Sequence, residues 1–436
     1  MSKIHELSVE TPHPNFDVFA VPPTQDTVDR DIITEHRPLA TLSADHPLEF
    51  IIPSAFDEYI IPKELLLHLR IRIELKKATD VTDDDWKTVT PANNLFHSLF
   101  ESVEISIGDT QVNTSSSSYP YIAYLDTLLN FEEKDKKSYL TGSLYYDSRD
   151  KRRSFLKTEK TLSNKKYIGK SVELSGRLNL DLFNQEKPFI GGSTIKLKLI
   201  PSKPSFFMII TTADIGAKLI FEDAYLEVHR SKVTEKIVIG HNEALKVAPA
   251  KYPITRRELK VFTIAKGSID AFIDNAVVGP LPKAAMLALV DNKSFHGDLA
   301  KNPFEFNHFK VNYVACHHNA MQYPQRAYKP DFEKKIYLRE FMALFASQNQ
   351  LYGNAKLDVD RESFGDKKTI FGFNFSPDLG EDCQVRGFTS LVRVGTLGLE
   401  LHFADALTEA VNVLLFTYYD DIVEINIERN GSLKSL

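Results

Sequence analysis

The sequence predicts an all-β chain folded as two consecutive antiparallel barrels or sandwiches, and three observations carry that expectation. Apolar and polar residues alternate with a period of two in segment after segment, the pattern of a strand with one wet face. Helical periodicity is too scarce to supply the crossovers of a parallel sheet. The 436 residues leave room for two or three domains at ~150 residues each, and 29 Phe with 17 Tyr suit sheet cores and wide interfaces.

Residues 1–45 read as an arm outside the core. Pro12, Pro14, Pro22, Pro23 and Pro38 interrupt it, and no apolar period persists. Two readings stand: a disordered terminus, or an extended arm that becomes ordered against a neighbouring subunit. The first barrel is expected over 46–215. There Leu67, Leu69, Ile71, Ile73 and Leu75 alternate with His68, Arg70, Arg72, Glu74 and Lys76. Val103, Ile105 and Ile107 repeat the pattern and run into Gly108-Asp109, which tolerates the positive φ of a hairpin turn; Gln111-Val112 then starts the return strand. Further strands are expected at 47–53, 172–182 and 194–200. One helix stands out. Pro120 can occupy its first turn without losing a hydrogen bond, and Ile122, Leu125 and Leu129 share a face, with Tyr121, Tyr124 and Leu128 beside it. It reads as decoration on a barrel loop.

The second barrel is expected over 216–430, followed by a tail at 431–436. Its strands are placed at 218–232, 257–265, 284–290, 309–317, 368–376, 395–403, 411–419 and 422–428. The clearest is Leu397, Leu399, Leu401 and Phe403 alternating with Gly398, Glu400 and His402. Each half has room for about eight strands, the jelly-roll number. No residue-level repeat links the halves.

Composition narrows the function. A formal charge of −6 argues against a dedicated nucleic-acid binder, which carries a basic excess. Cys316 and Cys383 cannot staple a chain of this length and read as buried thiols in a reducing compartment. The opening Met1-Ser2-Lys3-Ile4-His5-Glu6 lacks the basic-then-apolar pattern of a signal peptide. The apolar stretch from Phe206 to Ile210 falls far short of the ~20 residues that span a bilayer. A soluble protein made inside a cell is expected.

Catalytic patterns do not emerge. The thirteen histidines form no His-x-His pair and no His-Glu-x-x-His. His317 and His318 are neighbours on a strand, so they face opposite ways and cannot chelate one ion together. Gly169-Lys170-Ser171 imitates the end of a phosphate-binding loop, but Asn164 stands where its first glycine belongs. No catalytic residue, metal ligand, cofactor or small-molecule substrate is assigned, and the chain is expected not to be an enzyme.

A series of segments, in order from about residue 21 to 430, carries a family resemblance. It opens with Val21-Pro22-Pro23-Thr24-Gln25, followed by Asn93-Asn94-Leu95-Phe96-His97-Ser98-Leu99-Phe100 and Tyr119-Pro120-Tyr121-Ile122-Ala123-Tyr124-Leu125. It continues through Ala250-Lys251-Tyr252-Pro253-Ile254 with Arg256-Arg257, then Gly279-Pro280-Leu281-Pro282-Lys283 and Lys301-Asn302-Pro303-Phe304. Pro330-Asp331-Phe332-Glu333, Ser376-Pro377-Asp378-Leu379-Gly380 and the stretch from Leu397 to Asn430 complete it. Together these resemble the major capsid protein of Polinton/Maverick elements, whose relatives occur in adintoviruses and virophages.

The resemblance implies a double jelly roll: two eight-stranded antiparallel barrels, side by side and roughly perpendicular to a shell. It further implies a homotrimer of pseudo-hexagonal outline, contacts with neighbouring capsomers and with a penton or minor capsid protein, and an icosahedral shell around DNA. The location so implied is the virion, after synthesis in the host cell cytoplasm.

Against that expectation, one charge anomaly stands out at 149–170. Arg149, Lys151, Arg152, Arg153, Lys157, Lys160, Lys165, Lys166 and Lys170 face only Asp150 and Glu159, a net charge of +7. The segment reads either as a solvated loop or as a patch facing packaged DNA or an acidic neighbour such as Asp83-Asp84-Asp85. A competing function is a receptor- or glycan-binding β-sandwich of the spike or lectin kind, in which Tyr145-Tyr146 or Tyr418-Tyr419 would stack on sugars. An enzyme on a jelly-roll scaffold is the third reading.

Overall fold

The computed structural model describes residues 5–11, 13–77, 82–113, 118–156, 166–212, 214–319, 321–351, 356–376 and 387–434. Strands make up 42% of it and helices 21%. The first sandwich uses β1 (Val28–His36), β2 (Leu48–Ile52), β3 (Leu66–Lys76), β4 (Phe100–Ile107), β5 (Thr110–Gln111), β6 (Val172–Gly176), β7 (Ile195–Pro201) and β8 (Gly216–Val233). The second uses β9 (Ala250–Ile264), β10 (Asp270–Pro280), β11 (Ala284–Asp291), β12 (Val311–His318), β13 (Met321–Tyr328), β14 (Ile370–Asn374), β15 (Val394–Phe403) and β16 (Val411–Ile425). Four longer helices accompany them: α1 (Tyr119–Asn130), α2 (Arg149–Leu156), α3 (Glu235–Val247) and α4 (Leu338–Ser347).

In the first sandwich one sheet runs β1-β8-β3-β6 and the facing sheet β2-β7-β4-β5, antiparallel throughout. In the second, the sheets run β9-β16-β11-β14 and β10-β15-β12-β13. The second order is the first with eight added to every strand. The repeat that is invisible in the residues is therefore present in the topology, a jelly roll built twice.

Alternation explains the first core. Leu67, Leu69, Ile71, Ile73 and Leu75 of β3 meet Val103, Ile105 and Ile107 of β4 and Ile195, Leu197 and Leu199 of β7, all buried in one cluster. The β4–β5 turn needs its glycine. Gly108 sits at φ +64°, and a Cβ there would lie 2.9 Å from the carbonyl oxygen of Arg429.

Alternation fails on β11 and β16 of the second unit for a physical reason. On β11, Ala285, Leu287 and Leu289 face the sandwich core with Val413 and Leu415 of β16. Ala284, Met286 and Ala288, with Leu414 and Phe416, face a separate apolar cluster on the other side. A sheet buried on both faces has no wet side to be written as polar residues.

Several expectations need correction. The sequence puts β8 at the head of the second barrel, but it runs along β3 from Gly216 opposite Lys76 to Glu227 opposite Leu66, so it closes the first. β1 falls within the expected arm, yet pairs with β8 from Val28 opposite Val233 to His36 opposite Leu226. As an edge strand it is only half-buried, so its polar residues hide the alternation. The strands expected at 411–419 and 422–428 are the single β16, and the one expected at 172–182 stops at Gly176. Within the expected tail, Gly431–Lys434 pairs with the end of β16. Strands β10 and β13 and helices α3 and α4 lie outside the expected elements, and Arg149–Leu156 of the segment read as a loop or patch is the helix α2.

Phe50 of β2 is completely buried in the first core. Phe50→Ala should therefore cost about 3–5 kcal/mol, through lost transfer energy and the cavity left behind. The check is a lowered midpoint in chemical denaturation followed by near-ultraviolet circular dichroism.

Candidate functional site: the barrel joint and the assembly surfaces

Helix α1 belongs to the first unit in sequence but packs on the second. Tyr121, Tyr124, Leu125, Leu128 and Leu129 share the cluster with Ala284, Met286, Leu414 and Phe416. Tyr124 stacks on Phe304 with centroids 4.3 Å apart, and Tyr121 stacks on Phe295 at 5.1 Å. Such pairs add about 0.5–1.5 kcal/mol beyond the area they bury. The side chain of Gln350 donates to the Leu129 carbonyl at 3.0 Å, satisfying an end of the helix that lacks an internal donor. The helix read as loop decoration is thus the joint between the barrels.

A buried charge cluster fixes the same joint. Arg257 of β9 donates Nε–H to Asp181 Oδ1 at 2.6 Å and its backbone N–H to Asp181 Oδ2 at 3.0 Å. Its other face makes an ion pair with Asp126 of α1. Asp126 also accepts from the side chains of Asn130 and Asn179, each at 2.8 Å. Burial pushes the Asp126 carboxyl up, but the Arg257 charge and these hydrogen bonds prevail and hold it below its ordinary 3.8. Neighbouring pairs continue the pattern: Lys283 Nζ meets Asp420 at 2.7 Å, both buried, and Arg256 Nε meets Asp421 at 2.8 Å.

His97, in the Asn93–Phe100 run, shares a hydrogen bond between its Nδ1 and the Tyr119 hydroxyl at 2.8 Å, at the root of α1. Burial lowers its pKa to about 3, so it stays neutral. These residues have structural partners far along the chain, and that is why sequence reasoning marked the segments without finding their role.

The basic segment is dispersed by the fold. Arg152 is 3% exposed and donates Nε–H to the Pro91 carbonyl at 3.0 Å, with a second bond to the Tyr146 carbonyl. Arg153 donates to the Val89 carbonyl at 3.0 Å and to Thr90 Oγ1 at 3.1 Å. Arg149 pairs with Glu305 at 2.9 Å. Lys151 and Lys170 are exposed, near the rings of Tyr146 and Phe155. Lys166 places its backbone in a short strand on β3. Lys157, Lys160 and Lys165 lie outside the described residues, as does Cys383.

The other candidates resolve differently. Asp84 and Asp85 pair with Lys87 and Lys77, each at 2.7 Å. Tyr145, Tyr418 and Tyr419 are buried, so they offer no face to a sugar. Cys316 points into the second core, and burial raises its thiol pKa. His317 turns outward, where Nε2 meets Glu400 at 2.7 Å.

Some apolar side chains are left in water by the fold. Edge strand β10 exposes Phe272 (60%) and Val278 (65%), and Val394 opposite its end is also exposed. Leu338 and Met342 do the same on α4. Exposed apolar edges of this kind mark association surfaces.

No family model matches the sequence. An uncharacterized protein of Caenorhabditis elegans is 24% identical over 409 residues, covering 90% of this chain and 94% of that protein. Among solved structures, the chain is similar to a chain of the Sputnik virophage, with TM-score 0.66, 11% identity and coverage of 99% of this chain and 94% of that one. It is similar to the Faustovirus major capsid protein, with TM-score 0.57, 9% identity and coverage of 94% and 92%. For the mavirus major capsid protein the values are 0.53, 10%, 100% and 96%. The likeness is one of fold: the chain is a double jelly roll.

Arg257→Met should destabilise the protein by about 3–5 kcal/mol, because it strands two carboxylates in the joint. The sign with pH differs between the two carboxylates: burial holds Asp181 above its ordinary 3.8, so its ionisation costs stability as pH rises, whereas the Arg257 charge holds Asp126 below that value. The acid-labile part comes from Asp126. Its stabilising contribution is complete above the ordinary value of 3.8 and is lost as pH falls below it. In the variant, acid should relieve part of the defect instead. Melting temperatures of both proteins from pH 3 to 7 check this.

Proposed function

We propose that this protein is the major capsid protein of a DNA-containing, virus-like particle and acts as a structural, non-enzymatic building block. The observation that carries the reading is the doubled topology within one chain, which overlaps viral major capsid proteins over nearly its whole length. Three such chains supply six similar lobes, so a trimer of pseudo-hexagonal outline can tile a shell made mostly of six-coordinated positions. The ordered motif series from Val21 to Asn430 favours a Polinton/Maverick origin. Assembly then places the protein in the virion, beside neighbouring capsomers and a penton or minor capsid protein, after synthesis in the host cytoplasm. The exposed apolar edge at Phe272, Val278 and Val394 suits a trimer contact, and obligate interfaces bury on the order of 2,000 Å² or more.

Purified protein should have a mass about three times the 49.5 kDa chain and a six-lobed outline in negative stain. Phe272→Asp with Val278→Asp should shift it to monomer without lowering the monomer's melting temperature. A wild-type protein that stays monomeric at every concentration overturns the reading.

On the same reading, Lys151 and Lys170, with Lys157, Lys160, Lys165 and Lys166 nearby in sequence, are the part of the basic segment proposed to meet packaged DNA. Arg149, Arg152 and Arg153 are already engaged within the chain. Lys151→Gln with Lys170→Gln should weaken duplex binding alike on all sequences and lower the salt slope by roughly 0.9 per lost contact. Filter binding across salt concentrations reads both.

A further inference from the structure

A groove of about 530 Å³ lies between α3 and the body of the first sandwich. Its walls include Tyr59, Ile190, Val233, Ile237, Leu245 and Tyr252. Lys187 and Lys251 also line it, and no acidic side chain does. Helix α3 covers it loosely: Leu245 is its one buried residue among those described, and Val247 is 89% exposed. Thr27 and Val28, where the arm enters β1, stand at its edge.

The arm has the complementary character. Leu7, Val9, Phe16, Val18, Phe19 and Val21 are 73–94% exposed. Residues 5–21 carry Glu6, Glu10 and Asp17 and no Lys or Arg. The strip is thus apolar and acidic, opposite an apolar groove edged by lysines. Its apolar side chains are exposed and none of them lines the chain's own groove. Gln25 fixes the exit, accepting from Val28 N–H at 2.7 Å and donating to the Val28 carbonyl at 3.1 Å. Pro22 and Pro23 then favour an extended chain, whose reach of ~3.1 Å per residue lets the arm extend beyond the groove edge.

The geometry points to arm exchange, in which residues 5–21 of one copy occupy the α3 groove of a second copy of this chain. The inference rests on the self-assembly reading and adds to it a specific contact. In the exchanged arrangement the arm's apolar side chains fill the groove while its carboxylates lie near Lys187 and Lys251.

The test uses two full-length chains, one with Phe19→Cys and one with Ala244→Cys, an exposed groove residue; both carry Cys383→Ser, so only buried Cys316 remains. Mixed, assembled and mildly oxidised, they should form a disulfide-linked pair. Adding Lys251→Glu to the groove chain should reduce that product at least tenfold. Val21→Cys with Ala248→Cys repeats the test at a second position if the first pair lowers the melting temperature. Multimers by mass without a linked pair overturn arm exchange and leave the self-assembly reading standing. An intrachain bond in a doubly substituted chain, with no interchain product, also overturns exchange by placing the arm in its own groove. Monomers alone overturn both.

Discussion

The sheet β9-β16-β11-β14 is apolar on both faces, and only one of them can face the core of its own sandwich. The other presents Ala284, Met286, Ala288, Leu414 and Phe416, a surface that water cannot be left against without cost. Burying a side chain such as Met, Leu or Phe is worth about 1.5–3 kcal/mol. The cover is shared: the first unit gives Tyr121, Tyr124, Leu125, Leu128 and Leu129 of α1, and the second gives Phe304, Phe306, Phe364 and Leu344 of α4. The second barrel thus shares its outer apolar cluster with a helix of the first. That sharing turns two similar sandwiches into one body.

Charges placed in this joint act differently from its apolar contacts. Arg257, Asp126 and Asp181 lose water when the barrels meet, and their mutual attraction offsets the loss only in one geometry. Such a cluster adds little net stability over an apolar replacement. It does penalise any rotation or slip that separates Arg257 on β9 from Asp126 on α1. Lys283 with Asp420 makes a further buried pair within the second barrel, between the start of β11 and β16. Apolar burial thus holds the barrels together, and the ionic cluster sets their relative pose.

What could be read in the sequence follows the same division. Strands with one wet face, such as β3 and β15, announced themselves by alternation. Strands β11 and β16 were visible as apolar runs, but the reason for their length was not, because their second cover lies far along the chain. Edge strand β1 was hidden by its polar residues, and that concealed the true start of the first barrel. The basic segment misled for another reason. A sequence records that Arg152 and Arg153 are charged, not that Val89 and Pro91 present carbonyls needing donors. The motifs around Arg256-Arg257 and Pro282-Lys283 were noticed as a resemblance, while their partners Asp126, Asp181 and Asp420 could be joined to them only by the fold.

The contrast between the joint and the periphery bears on the proposed role. Three chains can present six lobes at even spacing only if the two lobes within a chain keep a fixed separation. A flexible linker would let that separation vary, and ring closure would then cost entropy at every contact. The Tyr121 and Tyr124 stacks and the Arg257 ion pairs lie at the intrachain joint, where rigidity is needed. The fold leaves its uncovered apolar surface elsewhere, on β10, α4, the arm and the edge of α3. A protomer rigid within and adhesive at its margins is the division of labour that a self-assembling lattice requires. The surface that hides one face of β11 and β16 is, on that reading, also what keeps the six-lobed outline regular.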